Sequence, residues 1–327
     1  MSDKPDIKDG VRGAGRIFTT DAGVIQYVVS QSWLSTMLQC PEMARVDLVN
    51  PSRYRLMGDS AAIGIAVHEG LDEAGKWWAS EPDLQNLSGF DLEAELFEDA
   101  WNEVVDKAID RVLVKEAENM VHHNTIWQTS GPDTFNPELA KISAKGWLEQ
   151  GLRRMGDLIQ GMDPAAVQFE QTGLERFLVG DGWELWLHGT CDLLLTHPGE
   201  GRKKATTIAH DWKTGKPYAK WECERTKVQH LVYSFLFGAK KFYYQYLSDT
   251  TAKGTVMVDI RGRDMDRLQI VCESAVDLLQ ALPPEEYNWT VNPTGWWCSE
   301  KWCGRHALGE CVGETRVIFP DFKKERR

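Results

Sequence analysis

Residues 183–213 read WELWLHGTCDLLLTHPGEGRKKATTIAHDWK, and this stretch decides the fold. The segments 183–195 and 206–212 are short, apolar or Thr-rich, and bounded by Gly, Pro or Asp turns, as strands are. The loop His197–Lys204 joins them as an exposed basic hairpin. Side chains alternate across a strand, so Asp211 and Lys213 share one face and Trp212 takes the other. An acid beside a lysine at a strand end suits phosphodiester hydrolysis: the carboxylate holds a divalent cation, and the ammonium orients water and offsets developing negative charge. Taken alone, Asp-x-Lys reads equally well as a solvated ion pair. The preceding strand carries Gly189-Thr190-Cys191-Asp192 followed by three leucines. An acid in such a strand is costly to bury unless it is paired or bound to metal. With a short connection, Asp192 and Asp211 converge into a hard oxygen site suited to Mg²⁺ or Mn²⁺.

Working outward, the segments 167–179 and 255–261 also read as strands. Helices are predicted from Ser30 to Cys40-Pro41, over Ala61–Trp78 with His68, and over 91–120, 137–160, 226–247 and 264–282. Residues 1–29 read as a flexible N-terminus, 30–311 as a single domain, and 312–327 as a basic tail. Within the domain the pattern separates a helical subdomain at about 80–165, a sheet core at about 166–262 and a Cys-rich region at about 288–311. The fold class is mixed α/β, a mixed sheet flanked by helices with a helical insertion. Gln229 and Tyr233 lie at i and i+4, on one helix face, where both can bond a phosphate or the lysine. The plainer reading makes them helix surface and core, and His68 a structural histidine. Glu170 and Glu175 are further candidates to support the site.

The net charge of −12 argues superficially against nucleic acid. Its location changes that reading. Residues 81–119 hold twelve acids and three bases, a net of −9, whereas residues 200–250 hold ten bases and five acids, a net of +5. The stretch Arg202–Lys241 therefore offers a basic face, with Arg202, Lys203, Lys204, Lys216, Lys220 and Lys227 as candidate phosphate contacts. No apolar run approaches the length of a membrane span. The opening MSDKPDIKDG is charged and does not read as a secretory signal. Seven cysteines, an odd number, point to reduced thiols or metal ligands.

The order His68, Gly-x-x-Asp192, Asp211-x-Lys213 and Gln229-x-x-x-Tyr233 resembles the PD-(D/E)xK nuclease superfamily. The resemblance is to its RecB-like branch, which includes CRISPR-associated and phage exonucleases. It runs from about residue 30 to 311, and the helical block contributes nothing specific to it. It implies a restriction-endonuclease-like core. It also implies a Mg²⁺- or Mn²⁺-dependent exonuclease acting on DNA ends or single strands, in recombination, repair or phage DNA processing. By the same resemblance His68, Asp192, Asp211 and the carbonyl of Trp212 are metal ligands. Lys213 is then the catalytic lysine, with Gln229 and Tyr233 supporting it. A cytoplasmic location in a bacterial or infected cell follows, with DNA as partner, no membrane, and room for recombination or CRISPR-adaptation proteins or an oligomer. Asp211 stands where many relatives have Glu. The alternative from another class is a non-catalytic DNA-binding or recombination adaptor with the same fold.

Cys298, Cys303 and Cys311 are spaced C-x4-C-x7-C, and Cys40 stands far upstream before a proline. Iron–sulfur members of the branch use one N-terminal and three C-terminal cysteines, so the resemblance implies a four-iron four-sulfur cluster on these four. Such a cluster staples the two chain ends together. Zinc on Cys298, Cys303, His306 and Cys311 competes with that assignment, and buried free thiols are the plain reading of Cys191, Cys223 and Cys272. Trp296, Trp297 and Trp302 flank the cysteines. Of the remaining tryptophans most read as core, and some as surfaces for unpaired bases.

Overall fold

A computed structural model describes residues 4–5, 15–49, 56–111, 126–128, 137–199, 204–248, 254–284 and 289. Its centre is a seven-stranded mixed sheet flanked by helices. The strands are β1 (Arg16–Thr19), β2 (Ile25–Ser30), β5 (Val167–Gly180), β6 (Trp183–His197), β7 (Thr206–Lys213), β8 (Lys241–Tyr246) and β9 (Thr255–Asp259). A separate two-stranded sheet pairs β3 (Leu56–Gly58) with β4 (Ile126–Gln128).

One face carries α1 (Gln31–Gln39), α2 (Pro41–Val49), α7 (Gln229–Phe237) and α8 (Gly262–Ala281), with α6 (Lys220–Thr226) beside them. Their apolar sides meet Leu185, Leu187, Phe242 and Tyr244 of the sheet. The other face carries α3 (Asp59–Ser80), α4 (Gly89–Asp99) and α5 (Pro137–Ile159), which bury Leu71, Leu92, Leu148 and Leu152 against Leu193, Leu195 and Trp212. Two cores on the two faces of one sheet make a three-layer architecture.

Strand β6 organises the site. It pairs with β5 along almost its whole length, so β2 and β7 must share its other edge. Strand β2 takes the first half, parallel, from Ile25↔Trp183 to Ser30↔His188. Strand β7 takes the second half, antiparallel, from Leu193↔His210 to His197↔Thr206. The C-terminal ends of β2 and β7 thus run toward each other, and Gly189–Asp192 lies in the gap between them.

Three expectations are corrected. Residues 16–19 and 25–30 are sheet strands rather than a flexible N-terminus, and Tyr27, Val28 and Val29 are buried. The 226–247 helix ends at Phe237, where Gly238 turns left-handed at φ 67°, and the chain re-enters the sheet as β8. The run beginning at residue 91 is not one regular helix: α4 passes into a π-helical turn at Ala100–Val105, where each bond spans an extra residue. Residues 112–120 of that run lie outside the described residues, as do Arg202, Lys203, the tail 312–327, His306, the tryptophans 296, 297 and 302, and Cys298, Cys303 and Cys311.

Candidate metal centre and active site

The side chains singled out in β6 and β7 converge where those strands part. Past His210 the β7 backbone leaves β6, and the Trp212 N–H donates to Asp192 Oδ2 at 2.7 Å instead of to a strand carbonyl. Asp211 and Lys213 share a face as the alternation requires, and they form an ion pair there. Trp212 points to the opposite side, into the helical core. Its carbonyl direction follows from the pairing. Lys213 O accepts from Leu247 N on the β8 side, so the groups of Trp212, one residue earlier, face the other way, toward Asp192.

His68, on α3, reaches the same carboxylate, with Nδ1 3.4 Å from Asp192 Oδ2. From α7, Gln229 Nε2 donates to Asp211 Oδ1 at 2.5 Å and approaches Tyr233 Oη at 3.4 Å. The Tyr233 hydroxyl in turn donates to Thr190 O. Gly189 is what lets α7 lie this close: a Cβ there would stand 2.8 Å from Tyr233 Cε1. Its cross-strand partner Gly173 makes the same allowance for Phe237. The glycine of Gly-x-x-Asp192 is therefore a clearance for the helix that holds Asp211.

Glu170 joins the group from β5, opposite Asp192. It is the one described non-glycine residue at positive φ, 44°, a conformation that costs on the order of 1–2 kcal/mol for a residue with a Cβ. At the same point the β6 alternation reverses: Leu185, Leu187 and Cys191 belong to one core, Leu193 and Leu195 to the other. One ligand atom each from His68, Glu170 and Asp192 lie within 4.8 Å of one another. An imidazole and two carboxylates with this spacing fit a divalent cation taking nitrogen and oxygen ligands. Asp211 lies beside this trio, held by Gln229 and Lys213. Glu175, by contrast, is exposed and pairs with Lys4 at 3.7 Å. The signal separating the two glutamates is cross-strand register: Glu170 falls between the pairs Phe169↔Leu193 and Gln171↔Cys191, level with Asp192, and Glu175 faces Leu187.

Burial and mutual charge set the protonation of the group. Burial disfavours the Asp192 carboxylate, but His68, Lys213 and the Trp212 N–H outweigh it and hold its pKa below the ordinary value. Asp211 is pushed upward by burial and by the adjacent Asp192, which together overcome Lys213. Burial opposes charge on Lys213 and His68, yet the carboxylates raise both pKa values. A cavity of about 280 Å³ opens over these groups, with Ser30 and Ser32 on its wall. Ser30 caps α1 by accepting from Trp33 N at 3.1 Å, and the two serine hydroxyls are 2.9 Å apart.

The candidate phosphate contacts divide between the two ends of β7. Lys216, Lys220 and Lys227 follow Lys213 on the site side, and Lys220 pairs with Glu224 at 3.8 Å. Lys204 precedes β7, which spans about 23 Å at the usual rise per residue, so Lys204 lies at the far end from Lys213. Cys40 is a buried free thiol at the end of α1. Close to it, Trp289 N donates to Glu42 Oε2 at 2.6 Å, and the Trp289 ring meets Trp33 edge-on at 6.5 Å. Arg45 donates to Pro284 O at 2.7 Å. The chain entering the Cys-rich segment is thus docked on α1 and α2. Cys191, Cys223 and Cys272 are buried free thiols.

No protein-family model matches the chain, and no curated protein matches it. Among solved structures, the chain is similar to the crystal structure of SSO0001 at 11% identity, over 69% of this chain and 77% of that one. The TM-score of that pair is 0.24, a likeness from which nothing about fold or activity follows. No described helix is long and apolar enough to cross a membrane.

Proposed function

We propose that this protein is a divalent-metal-dependent nuclease of the PD-(D/E)xK kind, on the RecB-like plan, hydrolysing phosphodiester bonds in DNA. The observation that carries the reading is the convergence of Asp192, Asp211 and Lys213 in the gap between β2 and β7, with His68 and Glu170 closing around Asp192. His68, Glu170 and Asp192 would hold Mg²⁺ or Mn²⁺, with Asp211 and the Trp212 carbonyl facing the same space. When bound, the cation supplies neutralisation of charge on the scissile phosphate.

The remaining work falls to the chain. Lys213 keeps its proton in the field of two carboxylates, so it orients the attacking water and donates to the oxygen on which charge develops. Asp211 aims that ammonium, and Gln229 holds Asp211 in a fixed rotamer. Tyr233, anchored on Thr190 O, braces Gln229. Pro284 and Trp289 dock on the helices that meet at Cys40, which supports a four-iron four-sulfur cluster on Cys40, Cys298, Cys303 and Cys311, with zinc as the competing occupant.

The test is digestion of end-labelled DNA with Mg²⁺ or Mn²⁺, comparing wild type with Lys213→Ala and Asp211→Ala. Both variants should lose cleavage while keeping cooperative unfolding. Cleavage at wild-type rate by either one would overturn the site. DNA binding without cleavage by the wild type would favour a non-catalytic adaptor.

A further inference from the structure

Directly beyond Lys213 the chain presents large aromatic surface to solvent. Trp221, in the first turn of α6, is 61% exposed, and Tyr218, three residues earlier, is 38% exposed. Single exposed apolar side chains occur elsewhere on this surface, Phe90 and Ile270 among them, but here two aromatic rings lie close in the chain among lysines. The surroundings are basic. Lys216 precedes the pair and Lys220 lies between its two members, with Glu222 and Glu224 following; Lys227 Nζ sits 4.3 Å over the Tyr218 ring.

Pairing ties this patch to the centre. Lys213 is the cross-strand partner of Tyr246, and the Tyr246 ring meets Tyr218 edge-on at 6.4 Å. Tyr218 is therefore two contacts from the catalytic lysine, and it fixes Lys227 in place. Burial lowers the Lys227 pKa, and the charge of Lys213 lowers it further. An ammonium kept partly out of water over an aromatic ring is relieved by an anion beside it. A phosphate of a strand entering the centre meets that demand. A flat, open indole on the same short helix, six residues before Lys227, suits the unpaired base of such a strand.

We propose that Trp221 is a stacking platform for an unpaired base of single-stranded DNA, with Lys227 and Lys216 on the adjoining phosphates. This inference rests on the nuclease reading for its substrate but not for its test. Base stacking tolerates any sequence, because every base has a π-face, whereas a duplex keeps its bases stacked on each other. The platform therefore selects single strands over duplex without selecting sequence.

The experiment is fluorescence anisotropy of the full chain with labelled DNA in EDTA, so that binding is read without cleavage. The probes are a single strand of mixed sequence, the same strand made abasic, and the duplex. Trp221→Ala should weaken single-strand binding about tenfold, leave duplex binding unchanged, and erase the preference for the intact over the abasic strand. Trp221→Phe should restore most of the affinity. Trp221 is exposed, so the unfolding midpoint should not move. An unchanged single-strand affinity, an equal loss on the abasic strand, or an equal loss on duplex would each overturn the platform. Stacking without cleavage by the wild type would sink only the nuclease reading, and cleavage with no effect of Trp221→Ala only this one.

Discussion

Glu170→Ala and Glu170→Gly remove the same carboxylate but leave different backbones at φ 44°. The left-handed conformation costs a residue with a Cβ about 1–2 kcal/mol, whereas glycine adopts it freely and gives back about 0.5–1 kcal/mol of unfolded-state entropy. The difference leaves Glu170→Gly more stable than Glu170→Ala by about 1 kcal/mol, or about 2 °C in a chain of this size. Both variants lose one of the three groups clustered within 4.8 Å, so both should bind Mn²⁺ at least about tenfold more weakly than wild type. Urea unfolding and calorimetric Mn²⁺ titration of the two variants read the two quantities separately. If the alanine variant is as stable as the glycine variant, the β5 backbone holds no strain at this position. If Mn²⁺ affinity survives in both, Glu170 is no ligand. The expected pairing, a stability gain for glycine with an equal loss of metal for both, marks a backbone held in an unfavourable conformation to place a ligand.

Gly189→Ala would bring a Cβ to 2.8 Å from Tyr233 Cε1, and because α7 must shift, it should cost about 1–3 kcal/mol and lower the cleavage rate. A Tyr233→Leu background should recover part of the stability and none of the rate. His210 and His230 are buried, their pKa values driven down to about 3 and about 4 by loss of solvation. At these two positions the unfolded chain takes up protons near pH 6.5 that the folded state refuses, so their contribution to stability falls as pH drops from about 6.5 toward 4, by up to about 1.4 kcal/mol per pH unit for each histidine. Urea midpoints at pH 7, 6 and 5 should fall less steeply with falling pH for His230→Phe than for wild type, the difference being this one histidine's share. Mn²⁺ at about 100 times its dissociation constant should add about 2.7 kcal/mol of stability, seen as a raised melting temperature. EDTA should reverse the effect, and Asp192→Asn should abolish it.

The reading of β5, β6 and β7 from sequence succeeded because turn residues bound short apolar segments, and because Asp211 and Lys213 fall on one face of a strand by its pleat alone. A helix opening near Ser30, and helices over much of 59–80 and 262–281, were legible in the same local way. Strand β8 was not. Residues 231–237 and 242–246 are both mostly apolar or aromatic, and short apolar runs of this kind have no period to separate a helix from a buried strand. The overlooked mark was Gly238, the residue that can turn left-handed at a helix end. Strands β1 and β2 escaped because they follow a polar, Gly-rich opening.

Local chemistry along the chain therefore determined which residues carry the acid, the lysine and the supporting amide, and which of them share a face. It did not determine which carboxylate joins His68 and Asp192 in the clustered trio. Glu170 and Glu175 look alike in a strand read by itself, and only the pairing of β5 with β6 brings one level with Asp192, between the pairs Phe169↔Leu193 and Gln171↔Cys191, and sets the other opposite Leu187. Nor does a strict alternation anticipate its own reversal at Asp192, where a positive φ in the partner strand accompanies the change of face. Register and the gap between β2 and β7 are properties of strands brought together over long separations in the chain. Their energies come from packing two cores against one sheet, and no single segment contains that information.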